Sequence, residues 1–156
     1  MGSADGAGMP TDEEMLELAL EEARVGMAEG GVPVGAAFFD EAGNVVSRGR
    51  NRLVQDGDPS AHGEIDAFRR IGRRVTFRDL TLVTTLQPCW YCSGLVRQFA
   101  FRRVVIGEET NFSMGTVQWL RDLGFEVRNL ESPVAIAMLA QWIRENPGLV
   151  AEDAGR

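Results

Sequence analysis

The chain has few of the residues that build disulfide frameworks or metal clusters. Its 156 residues include two cysteines, Cys89 and Cys92, and a single histidine, His62. Two cysteines argue against a disulfide framework, and the N-terminal sequence MGSADGAGMP lacks the basic and apolar segments of a secretory signal peptide. We therefore expect a disordered leader over residues 1–10, a single domain over residues 11–156 and a cytoplasmic location.

Long apolar runs and an excess of basic charge are also missing. No stretch approaches the roughly 18 apolar residues of a membrane-spanning helix, so no membrane partner is expected. The formal net charge is −7, whereas proteins that bind nucleic acid usually carry a basic stripe. The densest basic cluster, FRRIGRRVTFR at residues 68–78, is interpreted as the solvated end of a helix and the loop after it. A small neutral substrate fits this charge better than nucleic acid.

The chain does contain a regular succession of helical and strand periodicities. Thr11 and Glu14 have the capping-box spacing before an amphipathic helix, and the segments VPVGAAFF and NVVSRGRN flank DEAG as a hairpin. A helix over about residues 61–71 follows, and strands then alternate with helices. The last helix is predicted to have Ser132 as its cap and Pro133 at its first position. The predicted order is α-β-β-α-β-α-β-α-β-α.

This order of elements predicts the α/β class. Alternation after the hairpin implies a mostly parallel sheet with helices on both faces, and such packing is expected to bury the segments LTLVTT and VVIG. We predict one three-layer α/β/α domain around a central five-stranded mixed sheet, which is mixed because the hairpin pair is antiparallel.

The two cysteines raise the question of what a C-x-x-C pair after Pro88 does. A disulfide, a redox pair, a metal site and simple packing are all compatible with this spacing. His62 and Glu64 in SAHGEIDAF complete the pattern H-x-E…P-C-x-x-C, and both halves are predicted to open helices at one end of the sheet. Two residues at i and i+3 share one face of a helix, so both sulfurs can reach one ion. A redox pair would leave His62 and Glu64 unexplained, so the pattern favours a metal site.

One imidazole and two thiolates give three protein ligands: His62, Cys89 and Cys92. Structural zinc sites have four protein ligands, whereas catalytic sites leave one position for water. The chain has no further histidine or cysteine, and Glu64 is better placed as a proton carrier than as a fourth ligand. We predict one catalytic Zn²⁺ per subunit, with water as co-substrate. Bound zinc lowers the pKa of water to about 7, and Glu64 is predicted to carry protons to a ring nitrogen and a leaving amine, which is hydrolytic deamination.

A longer pattern around these residues resembles the fungal-type cytosine deaminases, small homodimeric members of the cytidine deaminase-like superfamily. The likeness runs from about Met15 to Gly155. The zinc motif alone is shared across the superfamily, whereas HGEI, GEETNF and the ED-G tail point to this branch. The resemblance implies the cytidine deaminase-like fold, a homodimer, and conversion of cytosine to uracil and ammonia. Its matching segments are EEARVGMAEGGVPVGAAF, GRNR, HGEI, TTLQPCWYCSG, RRVVIGEETNF, LGFEV and ENPGLVAEDAG.

The resemblance also implies substrate contacts at five positions. The Asn51 amide would hydrogen-bond the ring edge, and the Gly63 backbone N–H would meet the ring carbonyl. The Gln87 backbone C=O and the Asp153 carboxylate would meet the exocyclic amine, while Phe112 would stack on the ring. Without the resemblance, Asn51 is better explained as a turn residue at the end of a strand, and Phe112 is compatible with a core residue.

Four positions depart from the fungal pattern. Val150 and Ala151 stand where those relatives have a Trp-Phe pair that roofs the pocket. Tyr91 stands between the cysteines in place of Met, and Gln87 precedes the proline in place of Ser. We take Tyr91, Val150 and Ala151 as candidates for specificity, because a smaller roof and an altered wall can admit a bulkier ring.

Other functions stay open at this point. The same chemistry can act on a substituted pyrimidine, an aminotriazine, guanine or a creatinine-like cyclic amidine. A tRNA adenosine deaminase shares both halves of the motif but needs a basic groove, which the charge of −7 argues against. A non-catalytic module stabilised by zinc is the remaining alternative.

Overall fold

Seven helices and five strands make up residues 8–155, the part of the chain that the computed structural model describes. Residues 1–7 of the predicted leader lie outside this part. The strands are β1 (Gly35–Phe39), β2 (Val45–Arg50), β3 (Thr81–Thr84), β4 (Arg103–Ile106) and β5 (Glu126–Asn129). The helices are α1 (Asp12–Ala28), α2 (Leu53–Asp56), α3 (Gly63–Ile71), α4 (Trp90–Phe99), α5 (Thr116–Asp122), α6 (Pro133–Glu145) and α7 (Pro147–Asp153). The predicted order is confirmed, and two short helices, α2 and α7, are additional.

The five strands form one mixed sheet in the order β2-β1-β3-β4-β5, as predicted. The pairs β3–β4 and β4–β5 are parallel, whereas β1 is antiparallel to both β2 and β3. The hairpin pair β1–β2 is antiparallel as predicted, and β1–β3 is the one pair that departs from the expected parallel arrangement. The reason is that the crossover through α3 places β3 on the far side of β1, so β2 and β3 run the same way with β1 between them. Four strands thus share one direction and only β1 opposes them.

Helices cover both faces of the sheet, which gives the predicted three layers. Successive residues of a strand point to opposite faces, and Phe38 and Phe39 in β1 accordingly belong to different apolar clusters. The cluster around Phe38 includes buried residues of α3, α4 and α5, and the cluster around Phe39 includes residues of α1 and α6. Helix contacts on two sides explain why LTLVTT and VVIG are fully buried, as predicted. No helix within residues 8–155 is long and apolar enough to cross a membrane.

The ends of the longest helices follow the capping signals in the sequence. The Glu14 backbone N–H donates to Thr11 Oγ1 at 3.0 Å, and the Thr11 N–H donates to Glu14 Oε1 at 2.9 Å. Ser132 Oγ accepts from the Ala135 N–H at 3.2 Å, and Pro133 is the first residue of α6. Both predicted caps are confirmed, because each depends on residues only three positions apart.

Candidate active site

The candidate site lies where β2, β3 and β4 end on the same edge of the sheet. Asn51 follows β2 directly, Cys89 follows β3 after four loop residues, and the segment 107–112 follows β4. Because these three strands share one direction, their carboxyl ends bring segments from distant parts of the chain together. The Asn51 N–H donates to the Val34 carbonyl at 2.9 Å, which joins the start of β1 to this edge.

His62 occupies the position before the first turn of α3. Its backbone is extended, with φ −67° and ψ 160°, so the helix begins at Gly63 and not near residue 61 as predicted. The helix lies close to β2 because Gly49 has no side chain: a Cβ at this glycine would clash with the backbone of Ala67 in α3. A Cβ at Gly63 would lie 3.0 Å from the Val34 carbonyl oxygen, so glycine also suits the start of the helix.

Three potential metal ligands converge at the starts of α3 and α4. His62 Nδ1 lies 3.5 Å from Cys89 Sγ and 3.7 Å from Cys92 Sγ, and all three ligand atoms lie within 4.8 Å of one another. One imidazole nitrogen and two sulfurs are donors that suit zinc. Within residues 8–155, no fourth histidine, cysteine or carboxylate joins this group. The donor set therefore fits zinc with one coordination position left for another ligand.

The ionisation of these groups reflects burial and close mutual contacts. The hydrogen bond from Cys92 is the main cause that lowers the pKa of Cys89 to about 4, and the bond with His62 adds to it. The same bond raises the pKa of Cys92 well above its usual value. Burial favours a neutral His62, but the contact with Cys89 and the charge of Glu64 outweigh it and raise the pKa of His62 to about 9. A bound metal ion would displace the protons of His62 and Cys92, because metal ligands are neutral imidazole and thiolate.

Glu64 lies in the first turn of α3, two residues after His62. It is 3% exposed, and its burial raises the pKa of its carboxyl to about 7, with a further contribution from the charge of Cys89. A carboxyl with a pKa near neutrality can both accept and release a proton at physiological pH. The sequence placed this residue beside the metal ligands, and the structure does the same.

Asn51 and Asp153 meet at the site although they are 102 residues apart in the chain. Asn51 is 1% exposed and its Nδ2 donates to Asp153 Oδ1 at 2.8 Å, while its Oδ1 accepts from the Leu53 N–H at 2.9 Å. Asp153 Oδ1 also lies 4.0 Å from His62 Nε2. Burial raises the pKa of Asp153, and the contacts with His62 and Asn51 oppose that increase. The short helix α7 thereby brings a carboxylate to the end of the sheet that holds the three potential metal ligands.

These residues line one cavity of about 820 Å³. Cys92 alone among the predicted site residues does not reach its surface, because it is buried behind Cys89. The polar end is formed by Asn51, His62, Glu64, Cys89 and Asp153, and apolar side chains such as Leu86, Leu139 and Trp142 line much of the rest. The predicted residues at the cavity surface are Asn51, His62, Gly63, Glu64, Gln87, Cys89, Tyr91, Phe112, Val150, Ala151 and Asp153.

Tyr91 lies at the mouth of the cavity and is half exposed. Its ring meets the His62 ring edge to face, with centroids 5.2 Å apart and planes at 83°. Its hydroxyl donates to the Ser60 carbonyl at 3.2 Å. Tyr91 therefore braces the segment that carries His62 as well as forming part of the wall.

Three residues shape the cavity although the sequence did not single them out as site residues. Trp142 and Met114 line its apolar side, and Trp142 is 5% exposed. Trp142 belongs to a buried apolar cluster, and no local pattern in the sequence shows that a core tryptophan also lines a cavity. Glu108 is fully buried and accepts hydrogen bonds from the loop before Phe112. The sequence does contain a signal for Glu108, because a glutamate that closely follows a buried strand needs hydrogen-bond partners.

The comparison with known families settles the class of this site. Residues 9–108 match the cytidine and deoxycytidylate deaminase zinc-binding region, and this stretch contains the whole H-x-E…P-C-x-x-C pattern. The chain belongs to this deaminase family. As a family member, the deaminase is a zinc-dependent hydrolase that acts on C–N bonds of cyclic amidines, which confirms the predicted cofactor and reaction class and leaves no support for a non-catalytic module.

Relatives of this deaminase differ in the substrate that their names give. A cytosine deaminase of Candida albicans is 36% identical over 146 residues, which is 92% of this chain and 97% of the relative. A tRNA-specific adenosine deaminase of Haemophilus influenzae is 39% identical over 99 residues, covering 62% of this chain and 57% of that protein. The solved guanine deaminase from Nitrosomonas europaea matches with a TM-score of 0.74 and 25% identity, covering 86% of both chains. Family membership thus defines the type of reaction, whereas the names of the relatives give different substrates.

Proposed function

We propose that this deaminase acts on a free amino-heterocycle. We propose cytosine as its preferred substrate, which it converts to uracil and ammonia. The observation that carries the proposal is the contact between Asp153, at the C-terminal end of the chain, and Asn51 beside the zinc ligands. The likeness to the Candida cytosine deaminase extends over nearly the whole chain, whereas the likeness to the tRNA-specific relative covers 62% of it. A negatively charged chain also favours a neutral ring over a polyanion.

In this proposal His62, Cys89 and Cys92 hold the zinc ion, with His62 binding through Nδ1. Zinc, when bound, supplies Lewis acidity that brings the ionisation of a coordinated water into the neutral range. Glu64 would take one proton from the attacking water and pass it to the ring nitrogen. It would then take the proton that remains on the added hydroxyl and give it to the departing amine, so that ammonia leaves and a ring carbonyl remains. The burial of Glu64 keeps bulk water from competing for these protons, and the residue lies in the same first helical turn that His62 caps.

The polar groups around the cavity present a pattern that an aminopyrimidine can satisfy. The backbone N–H of Gly63 and the backbone C=O of Gln87 have no hydrogen-bond partner within residues 8–155. They offer one donor for a ring carbonyl and one acceptor for an exocyclic amine. Asn51 retains a second amide hydrogen, and Asp153 retains a second carboxylate oxygen, for the ring edge and the amine. Phe112 supplies an apolar wall on which the ring stacks.

A second candidate substrate is a larger ring such as guanine. The cavity of about 820 Å³ is wide, and Val150 and Ala151 leave more space at its surface than two aromatic side chains would. The fold is shared with the Nitrosomonas guanine deaminase at 25% identity. A purine would keep the same amine and ring-nitrogen chemistry at the polar end while its second ring occupies the apolar end.

We also propose that the protein is a homodimer. Trp90 and Tyr91 on α4 and Leu123 after α5 are about half exposed, and Trp90 contacts Trp119 with ring centroids 5.6 Å apart. Such an apolar face next to a site mouth suits a second copy of the chain. Light scattering of the zinc-loaded protein should give about twice the chain mass of 17.1 kDa. A single-chain mass at micromolar concentration contradicts the proposal.

The substrate is tested by ammonia release from a panel of rings by the zinc-loaded protein. The panel contains cytosine, 5-methylcytosine, isocytosine, cytidine, guanine, adenine, creatinine and a melamine-type triazine. We expect the highest kcat/KM with cytosine, because its carbonyl, ring nitrogen and amine match the polar groups named above. Preference for guanine with inert cytosine supports the second candidate and assigns the difference to Val150 and Ala151. Turnover of a tRNA anticodon arm but of no free ring contradicts both candidates.

A further inference from the structure

The Gln87 side chain makes a contact that the proposed reaction does not use. Gln87 lies between the end of β3 and the start of α4, two residues before Cys89, and is 3% exposed. Its backbone N–H donates to the Glu108 carbonyl at 3.0 Å, and its side-chain Nε2 donates to the Phe112 carbonyl at 2.8 Å. One residue thus holds both ends of the segment from Glu108 to Phe112.

The interior of this segment is held by different groups. The Glu108 carboxylate accepts from the backbone N–H groups of Thr110 (2.6 Å) and Asn111 (3.0 Å) and from the Asn111 side chain (2.8 Å). Asn111 Nδ2 also donates to the Ile136 carbonyl in α6 at 3.0 Å. These bonds order residues 108–111 and end one residue before Phe112. Within residues 8–155, the only hydrogen bond from a side chain to Phe112 is that of Gln87.

Phe112 is the residue of this segment that faces the substrate cavity. Its half-buried ring lines the cavity and packs against the apolar cluster that includes Leu86, Leu139 and Trp142. The chain beyond it has no helix until Thr116, so the backbone on that side gives Phe112 little support. A change in the backbone at Phe112 therefore moves part of the cavity wall.

We propose that Gln87 is a positioning residue, whose side-chain amide holds Phe112 in place as one wall of the substrate cavity. The substrate part of this inference rests on the proposed function, whereas the hold on the loop does not depend on it. An apolar wall contacts the bound substrate and the transition state alike, so its loss raises KM more than it changes kcat. The zinc ligands are unaffected, because the backbone contact of Gln87 with Glu108 does not need its side chain.

The test compares Gln87→Met with the wild-type protein and with Gln98→Met. Methionine has nearly the length and volume of glutamine but donates no hydrogen bond, so the change removes the contact and keeps the packing. Gln98 is exposed on α4 and serves as the matched control. Hydrogen exchange of the zinc-loaded full chain is measured by peptide, together with zinc content, KM and kcat for the best ring of the panel.

We expect exchange over residues 108–114 to become about tenfold faster in Gln87→Met and to stay unchanged elsewhere, since the lost hydrogen bond stabilised only this segment. KM should rise roughly three- to tenfold with kcat within about twofold and full zinc content. Gln98→Met should match the wild type in all four measurements. If Gln87→Met does not fold, Gln87→Ser removes the same contact, because serine is too short to reach Phe112, and should show the same local change.

Unchanged exchange over residues 108–114 overturns the proposal. Faster exchange over the whole chain also overturns it, since that result marks a general loss of stability. Local faster exchange with an unchanged KM overturns the part that concerns the substrate. A wild-type protein that turns over no ring of the panel contradicts the proposed function, and hydrogen exchange then decides the role of Gln87 by itself.

Discussion

Replacing Glu64 by glutamine is expected to lower kcat by about 10²–10⁴-fold while zinc content and folding are kept. Glutamine has the same shape as glutamate but cannot take a proton from water or give one to the leaving amine. Glu64 is 3% exposed, and a buried carboxylate carries a desolvation cost that a neutral amide does not have. The midpoint of thermal unfolding of the variant should therefore equal or exceed that of the wild type.

The measurement combines ammonia release, zinc content and thermal unfolding on the same preparations. Glu41→Gln is the matched control, because Glu41 is exposed in the turn between β1 and β2, at the opposite end of these strands from Asn51. It should keep wild-type activity. A Glu64→Gln protein with full zinc and near wild-type kcat would show that another group carries the protons. A variant that is inactive and also has no zinc would instead point to a ligand role for Glu64.

Replacing Cys92 by serine is expected to lower the affinity for zinc by more than about 100-fold and to abolish deamination. A serine hydroxyl stays protonated at neutral pH and is a poor ligand for zinc, so only His62 and Cys89 remain. Cys92 is fully buried behind the cavity, so its loss does not alter the surface that a substrate contacts. The expected loss of activity follows from the metal alone.

The check is a competition titration with a zinc chelator, followed by an activity assay after zinc is returned. Chelated wild-type protein should regain activity with added zinc, whereas Cys92→Ser should not. Ser93→Ala, at the residue next to Cys92, is the control. It removes a buried hydroxyl that donates to the Pro88 carbonyl at 3.2 Å, and it keeps all three ligands. Wild-type zinc affinity in Cys92→Ser would contradict the assignment of this cysteine as a ligand.

The chemistry of the site was predictable because its signals are short in sequence. His62 and Glu64 are two residues apart, and Cys89 and Cys92 are three apart, so one helical turn fixes the relative position within each pair. The capping box at Thr11 and the side-chain cap at Ser132 depend on spacings of the same length. Because the chain has one histidine and two cysteines, the sequence also limits zinc to three imidazole or thiolate ligands.

The walls of the cavity were not predictable in the same way. The contact between Asn51 and Asp153 joins residues 102 positions apart, and the hold of Gln87 on Phe112 spans 25 positions. The family resemblance proposed that Asn51 and Asp153 both contact substrate, but neither spacing nor periodicity indicates that they bind each other. Trp142 likewise has the pattern of a core residue and also lines the cavity.

The amino-acid sequence by itself determined the order of the elements, the caps of the long helices and the grouping of three potential zinc ligands with a carboxylate. Each of these depends on local periodicity or on residue type. Only the tertiary structure decided that β1 also pairs antiparallel with β3, that α7 returns Asp153 to Asn51, and that Gln87 donates a hydrogen bond to Phe112. These features depend on which distant segments pack together, and that is set by the summed burial of the whole sheet and its helices rather than by any one stretch of sequence.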